Sequence, residues 1–87
     1  MRNFDLNLLR ALRALLGEQD VEAAAMQIGV PQAVMDAMLT RLRLALCDPL
    51  LVQSAGGVVA TERAKVIAEG VERIFEELDR LIVPSRS

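Results

Sequence analysis

Residues 20–32 read DVEAAAMQIGVPQ, and this stretch decides the fold. Asp20 is a residue type that caps helix N-termini, so it predicts a short, alanine-rich helix from Val21 to Ile28. Gly29 is predicted to end that helix, and Pro31 suits the first turn of another helix, where its missing N–H costs nothing. Two short helices joined by a glycine-containing turn of about three or four residues indicate a helix-turn-helix.

Helices are also predicted on both sides of this short one. The first starts near Leu6, with Asp5 as its cap and Phe4 packed on Leu9 as a hydrophobic staple, and it ends at Gly17. The third runs from about Gln32 to Cys47. Its predicted apolar face consists of Val34, Met35, Met38, Leu39, Leu42 and Leu46. Because the chain holds a single cysteine, the thiol is expected to be buried and inert.

The residues after the third helix predict a β-hairpin. Asp48-Pro49 breaks the helix, and the segments 50–53 and 58–60, LLVQ and VVA, are the predicted strands. The Gly56-Gly57 pair between them supplies the positive φ angles that a tight hairpin needs. A hairpin at this place is the wing of a winged helix-turn-helix.

A long final helix is predicted from Glu62 to about Val83, with Thr61 as its cap and Pro84 as its stop. Apolar residues three and four positions apart form a heptad seam, widened by further apolar residues. The predicted dimer interface consists of Ala64, Ile67, Val71, Ile74, Phe75, Leu78 and Leu81. The alternative is a helix that closes the core of its own domain. Ion pairs Glu69–Arg73 and Glu76–Arg80 are expected on the solvated side.

Composition excludes several functional classes. The 87 residues contain no His, Trp or Tyr and one Cys, so common zinc sites, Cys/His catalysis and aromatic base stacking lack their residue types. Ser54 has no histidine to activate it. We therefore expect no enzymatic activity, no metal and no cofactor. With 2% aromatic residues, the core must consist of Leu, Ala, Val, Ile and Met.

No apolar run approaches the roughly 20 residues that span a bilayer, and the N-terminus, with Arg2 and Asp5, lacks an apolar signal core. A cytoplasmic protein without membrane contact is expected. The predicted fold is mainly α: a winged helix-turn-helix of three helices and a two-stranded wing over residues 1–60. A dimerisation helix with a short tail follows over residues 61–87.

The order of these elements and their local sequence resemble the N-terminal domain of LysR-type transcriptional regulators. The similar segments are FDLNLL at 4–9, VEAAA at 21–25, IGVPQ at 28–32, RLR at 41–43, DPLLV at 48–52 and TERA at 61–64. The resemblance extends from about Phe4 to Leu81 and preserves the spacing throughout.

This resemblance implies a homodimeric transcription regulator that pairs through its last helix and inserts the third helix into the major groove of double-stranded DNA. The family normally continues into a longer effector-binding domain, which these 87 residues lack. The chain is expected to be either a fragment or a natural stand-alone version.

Residues differ from the family pattern where the family contacts DNA. Early in the second helix, the family prefers Thr or Ser followed by Arg. It prefers Ser-Gln-Pro at the entry to the third helix and, farther along that helix, a Ser with a basic or polar residue. It also has an Arg at the end of the first wing strand. The substituted positions are Glu22, Ala23, Pro31, Ala33, Asp36, Ala37 and Gln53. Each substitution removes an expected phosphate or base contact.

The distribution of charge around the helix-turn-helix also disfavours contact with DNA. No Lys or Arg occurs from Ala14 through Thr40, whereas Glu18, Asp20, Glu22 and Asp36 contribute −1 each, for a total of −4. DNA binding depends on neutralising phosphates, and an acid about 4 Å from one costs on the order of 1 kcal/mol even in water. Acids near a helix N-terminus also have a purely stabilising explanation.

The remaining candidates for DNA contact are Gln32, Thr40, Arg41, Arg43 and Gln53. Alternatively, Arg41 and Arg43 lie beside the core and pair with Asp48. Two functions stay open: a dimeric regulator with weak or altered DNA binding, and a module that no longer binds DNA and instead pairs with or antagonises another regulator.

Overall fold

The structure, a computed structural model, describes residues 6–82. Its elements are α1 (Leu6–Glu18), α2 (Val21–Ile28), α3 (Gln32–Leu46), β1 (Leu51–Ser54), β2 (Gly57–Ala60) and α4 (Glu62–Ile82). This mainly helical architecture with one two-stranded antiparallel sheet confirms the predicted winged helix-turn-helix with a long last helix. The cap and staple predicted at Phe4 and Asp5, and the stop at Pro84, lie outside the described residues.

The hydrophobic core forms around α1, which packs against α2, α3 and α4. Leu12 and Leu15 are almost completely buried, as expected for a helix with apolar residues on most of its circumference. Ala24 and Ala25 of α2 are also buried, and their small side chains let the two helices approach closely. The other helices add buried residues to the same core: Met35, Leu39 and Leu42 from α3, and Ala64 and Val71 from α4.

Both ends of α2 follow the sequence prediction. The Asp20 carboxylate accepts a hydrogen bond of 3.1 Å from the Ala23 N–H, and Gly29 is left-handed with φ of 76°. The predicted end of α1 at Gly17 is wrong, because the helix continues to Glu18 and Gln19 takes the left-handed conformation. Glycine inside a helix costs only about 1 kcal/mol, so the packing of Leu15 and Leu16 decides where α1 ends.

Three details of α3 differ from the prediction. Pro31 precedes the helix as its N-cap residue instead of lying in its first turn. Val34 is exposed, because it lies beyond the edge of the narrow strip that packs on the core. Cys47 is exposed and not buried: α3 ends at Leu46, and the left-handed Cys47 turns the side chain outward.

The wing is a short hairpin whose strands pair Leu51 with Ala60 and Ser54 with Gly57. Ala55 and Gly56 form the turn between the strands, and the Ser54 hydroxyl donates to the Gly57 carbonyl at 3.0 Å. Of the two glycines predicted to have positive φ, Gly57 does, with φ of 118°, whereas Gly56 does not.

Thr61 alone separates β2 from α4, and it caps the helix as predicted, with its hydroxyl accepting a 3.0 Å hydrogen bond from the Ala64 N–H. The expected ion pairs on α4 do not form. Arg80 instead pairs with Glu77 at 2.8 Å, one position closer than predicted. Between Leu6 and Ile82, no helix is both long and apolar enough to cross a membrane.

Candidate DNA-binding surface

The side of α3 that faces away from the core is formed by small side chains. Met35, Leu39 and Leu42 fix the buried side of the helix. On the opposite side, Ala33 and Ala37 are both exposed, each at a position predicted to be substituted. The outward side of the first two turns of α3 is therefore small and apolar.

Polar candidates flank this outward side. Gln32 is exposed at the first position of α3, and Asp36 is exposed one turn further on. The Thr40 hydroxyl donates to the Asp36 backbone carbonyl at 3.1 Å, within the helix itself. Gln32, Asp36 and Thr40 are spaced by four positions and share one side of α3, whereas Arg41 is exposed on the opposite flank of the helix.

Arg43 has a different location from the other candidates. Its Nε donates to the Pro49 carbonyl at 2.8 Å, and its Nη2 donates to the Leu51 carbonyl at 3.2 Å. The alternative in which Arg43 pairs with the Asp48 carboxylate is not what the structure shows, because its acceptors are these two carbonyls. Because its guanidinium holds the segment between α3 and β1, Arg43 belongs to the internal support of the wing.

Asp48 anchors the same segment from the other side. Its Oδ2 accepts hydrogen bonds from the Thr61 hydroxyl at 2.7 Å and from the Leu50 N–H at 2.9 Å. These two bonds and the nearby Arg63 hold the pKa of Asp48 below its ordinary value of 3.8. The Arg63 guanidinium also donates to the Leu46 carbonyl, at the end of α3.

The residue held by these contacts is Leu50, which is fully buried although its φ is 67°. A left-handed leucine costs roughly 1–2 kcal/mol, so it persists only where its surroundings enforce it. We call this network the wing base; it consists of Arg43, Asp48, Leu50, Thr61 and Arg63.

The second helix and the turn contribute little positive charge. Glu22 is exposed in the first turn of α2, and Ala23 is half-buried beside it. Pro31 is exposed at the start of α3. Among residues 14–40 the structure therefore presents acids and small side chains where phosphates would approach.

The wing is uncharged. Gln53 is exposed on β1, opposite Val58 of β2, and no residue from Leu51 to Ala60 carries a charge. Val52 and Val59 face each other across the hairpin, and both are exposed. Gln53 is therefore the main hydrogen-bonding side chain that the wing can offer to a phosphate.

The predicted dimer interface on α4 divides into two parts. Ala64 and Val71 are buried in the core of their own chain, and Ile67 and Phe75 pack against that core. These residues correspond to the alternative of a helix that closes its own domain. Ile74 and Leu81 remain exposed, by 45% and 75%, and Leu78 is half-buried.

A second apolar line runs beside the buried one. Val66, Gly70, Ile74 and Leu78 lie four positions apart and therefore share one side of the helix, which Leu81 extends. We call these residues the α4 stripe. Val66 is 68% exposed, so the stripe is available to a second chain.

On the other flank of α4, an ion pair fixes the helix to α1. Arg13 Nε and Nη2 donate to both carboxylate oxygens of Glu72, at 3.0 and 3.1 Å, and Arg13 Cζ lies 4.6 Å from the centre of the Phe75 ring. The hydrogen bond to Glu72 raises the pKa of Arg13. An open groove of about 470 Å³ lies beside this contact, between α1, α2 and α4.

The sequence prediction missed three features of these surfaces. Val66 and Gly70 follow a simple spacing of four, but a heptad pattern assigns Ala64 and Val71 to the seam instead. Leu44, 75% exposed on α3, continues the outward side of that helix. The spacing of four from Thr40 could have revealed it.

Within the described range, no cluster of three or more Cys, Asp or Glu residues is arranged to hold a metal ion.

Comparison with known proteins identifies related sequences. The family described as bacterial regulatory helix-turn-helix protein, lysR family, matches residues 6–65. The HTH-type transcriptional regulator LinR of Sphingobium indicum is 42% identical over 74 residues, which are 85% of this chain and 24% of LinR. The chain thus spans about a quarter of the length of the curated relatives it matches.

Solved structures share the fold. A probable transcriptional regulator from Pseudomonas aeruginosa, PA0477, superposes with a TM-score of 0.84 at 29% identity, over 98% of this chain and 28% of that one. The structure of a CbnR DNA-binding domain in complex with DNA superposes with a TM-score of 0.79 at 25% identity, over 95% of each chain. LinR and PA0477 are described as transcriptional regulators and not as enzymes, in agreement with the sequence prediction.

Proposed function

Because the chain belongs to the lysR family of bacterial helix-turn-helix regulators, we propose that it regulates transcription as a homodimer bound to duplex DNA. In this proposal α3 enters the major groove, the wing contacts the backbone, and the protein acts in the cytoplasm, at the bacterial chromosome. The observation that carries it is the exposed α3, whose side chains are small enough for the helix to approach base edges closely.

The likeness to a DNA-bound domain supports this assignment. The CbnR domain superposes on this chain over 95% of both chains, and its structure is that of a complex with DNA. In a helix-turn-helix the second helix of the motif lies in the major groove. In this chain that helix is α3, on which Gln32, Thr40 and Arg41 are exposed.

The distribution of charge indicates that this binding is weak at ordinary salt. The described part of α3 carries two cations, the exposed Arg41 and Arg43, and Arg43 is hydrogen-bonded to two carbonyls of the wing base. Asp36 is exposed on the same helix and repels phosphate. The proposed complex therefore depends less on counterion release than most protein–DNA complexes do.

The α4 stripe is the proposed dimer interface. Val66, Ile74 and Leu81 are large apolar side chains exposed along one side of a helix of 21 residues. Gly70 lies in the middle of the stripe, where the absence of a side chain permits close approach of a second helix.

DNA binding is tested by fluorescence anisotropy of the 87-residue chain with a duplex from its own promoter region at low salt. We expect tighter binding than to a scrambled duplex of equal composition. The slope of log K against log salt is expected near −2, about one cation from each protomer. Equal binding to both duplexes contradicts the proposed function, and a slope near −8 contradicts the sparse phosphate contact.

Dimerisation is tested by sedimentation equilibrium of the wild type and of Ile74→Glu. The substitution places a charge in the middle of the α4 stripe, so we expect a monomer, while the wild type is a dimer. Lys65→Glu, which adds an acid on the other side of the same helix, is the matched control and leaves the dimer intact. A wild type that stays monomeric at high concentration contradicts the proposed interface.

The acidic surface and the α4 stripe favour a second candidate function. A chain that keeps an exposed helix for pairing and presents acids around the helix-turn-helix could pair with a different regulator and antagonise it. Pull-down from native lysate with mass spectrometry tests this candidate. Recovery of a full-length LysR-type regulator supports it, and recovery of the chain alone counts against it.

A further inference from the structure

The open groove of about 470 Å³ between α1, α2 and α4 has the size of a ligand site. It forms because α2 and α4 both pack on α1, and the α1 residues between them include Ala14 and Gly17, which have little or no side chain. Sites for small molecules typically enclose about 300–1,000 Å³. We call this feature the α1 groove.

The glycine that lines the α1 groove is not required by the backbone. Gly17 lies in the last turn of α1 and does not have a positive φ, so other residues could adopt its conformation. Nothing lies within 4 Å of the position that a Cβ would occupy there. Glycine weakens a helix, and in return its missing side chain keeps the α1 groove open.

Two arginines line the α1 groove, and they differ in their contacts. Arg13 donates to both carboxylate oxygens of Glu72, and the nearby charge of Asp79 also favours its charged form. Arg10 lies one turn earlier on α1 and has no hydrogen bond or ion pair with any described residue. The guanidinium of Arg10 is therefore available to a carboxylate, which it can bind through two parallel N–H···O bonds.

Apolar side chains complete the walls of the α1 groove. Ile28, at the end of α2, and Phe75 of α4 line the groove, and both are half-buried. Gln27 adds an exposed amide beside Ile28. The lining thus combines an apolar part, a neutral polar group and one cation without a partner among the described residues.

We propose that the α1 groove binds a small organic monocarboxylate with an apolar ring system, held by Arg10 at the carboxylate and by Ile28 and Phe75 along the ring. A single negative charge matches the available guanidinium, whereas Glu72 repels a doubly charged phosphate more strongly. Such a ligand contacts three helices at once and ties α4 to the helix-turn-helix. The inference goes beyond the proposed function, because the site contacts neither DNA nor the α4 stripe.

The test is an NMR titration of the ¹⁵N-labelled 87-residue chain with 2-naphthoate as the probe. The neutral 2-naphthamide, which has the same rings, is the control ligand. We expect shifts of the backbone amides centred on Gly17, Gln27 and Ile28. A dissociation constant on the order of 1 mM is expected for about 13 non-hydrogen atoms in an open site. Because 2-naphthamide lacks the charge, it should bind about tenfold more weakly.

Arg10→Gln tests the contact with the carboxylate. We expect the affinity for 2-naphthoate to fall about tenfold and the affinity for 2-naphthamide to stay the same. Arg73→Gln removes an equal charge from an exposed position of α4 outside the groove and is the matched control, with unchanged affinity. Equal losses in both variants would assign the binding to overall charge, which overturns the inference.

Gly17→Leu tests the location of the site. Since the position of the Cβ is unobstructed and leucine favours helix, the variant should fold with an equal or higher melting temperature. Its side chain occupies the α1 groove, so we expect at least a tenfold loss of affinity for 2-naphthoate. Glu18→Leu introduces the same side chain at the next position, outside the lining, and should retain binding. Unchanged binding by a folded Gly17→Leu overturns the inference.

The remaining outcomes separate a specific site from adsorption to exposed apolar surface. Shifts centred on Ile74 and Leu81 of the α4 stripe, or equal affinities for 2-naphthoate and 2-naphthamide, would indicate adsorption and overturn the inference. None of these measurements contains DNA, so their failure leaves the proposed DNA-binding function intact. Conversely, a chain that binds 2-naphthoate in the α1 groove but no duplex supports the inference and contradicts the proposed function.

Discussion

The wing base and the outward side of α3 are built from neighbouring residues but differ in what their polar groups contact. In the wing base, Arg43, Asp48 and Arg63 are hydrogen-bonded to backbone atoms or to Thr61. On the outward side, Thr40 is bonded within its own helix, and the exposed Ala33 and Ala37 are apolar. The charged groups of the wing base therefore support the fold, and the proposed DNA-binding surface on α3 has few charged groups.

Under the proposed DNA-binding function, a count of arginines overestimates the number of cations that can contact phosphates. Arg41 and Arg43 are separated by one residue and both are exposed, yet Arg43 donates to two carbonyls that hold Leu50 in its left-handed conformation. A guanidinium that leaves those carbonyls for a phosphate would weaken the wing. The substitutions below either remove contacts of the wing base or change the charges on the outward side of α3.

The largest effect is expected for Thr61→Ala. The variant loses the cap of α4 and the hydroxyl that donates to Asp48, and caps of this kind contribute up to about 2 kcal/mol. For a domain of this size the melting temperature should fall by about 10 °C. Calorimetry or circular dichroism measures it, and Thr40→Ala, at an exposed threonine outside any cap, is the control. A similar fall in melting temperature in both variants would show that the cap and the Asp48 hydrogen bond of Thr61 add no particular stability.

The next effect concerns the outward side of α3. Asp36→Ser combined with Ala37→Arg removes an acid and adds a cation at positions where the family has a Ser and a basic or polar residue. We expect a gain in DNA affinity of about tenfold, or ~1.4 kcal/mol, at low salt with little change in melting temperature. Glu76→Arg changes the net charge equally at the far end of α4 and serves as control. Equal gains in both variants would assign the effect to overall charge.

A smaller loss of stability is expected for Arg43→Met. Methionine keeps the helix propensity of arginine but cannot donate to the Pro49 and Leu51 carbonyls, so the free energy of unfolding should fall by about 1 kcal/mol. Arg73→Met on the exposed side of α4 is the matched control and should have no effect. Urea denaturation measures both variants. Unchanged stability of Arg43→Met, together with weaker DNA binding, would place Arg43 at the DNA.

The smallest effect at neutral pH is expected for Asp48→Asn, since the amide oxygen can still accept from Thr61 and Leu50. The effect of Asp48→Asn on the melting temperature is expected at acidic pH. The pKa of Asp48 in the folded state lies below its ordinary value of 3.8, so its contribution is complete above that pH. The contribution is lost as the pH falls from 3.8 through the lower folded value. Asp48→Asn should therefore flatten the decline of melting temperature below about pH 4. An unchanged acid profile contradicts the role of Asp48.

Local chemistry made the fold predictable. The helix-end hydrogen bonds of Asp20, Gly29 and Thr61 each involve atoms within four residues, so these effects on helix ends could be inferred without knowing the tertiary structure. The family pattern supplied the same order of elements. Gly17 failed as a helix end because packing of the leucines beside it, which no local rule describes, outweighs a modest propensity.

The candidate surface was predictable only in part. The exposure of Gln32, Asp36, Ala33 and Ala37 follows from their spacing relative to the buried strip of α3. The use of Arg43 did not follow, because its acceptors are carbonyls that come near only when the chain turns at Leu50. Ala64 and Val71 likewise fit a seam between chains or a core within one, and the position of α1 decides between them.

The single residue between the wing and α4 has a mechanical consequence. Thr61 bonds the Leu50 carbonyl through its N–H, bonds Asp48 through its hydroxyl, and caps α4, so no flexible tether lies between hairpin and helix. The helix of 21 residues is about 31 Å long and acts as a lever on that joint. A tilt of about 5° corresponds to about 3 Å at its far end. A partner that binds the far end of α4 therefore also sets the angle of the wing.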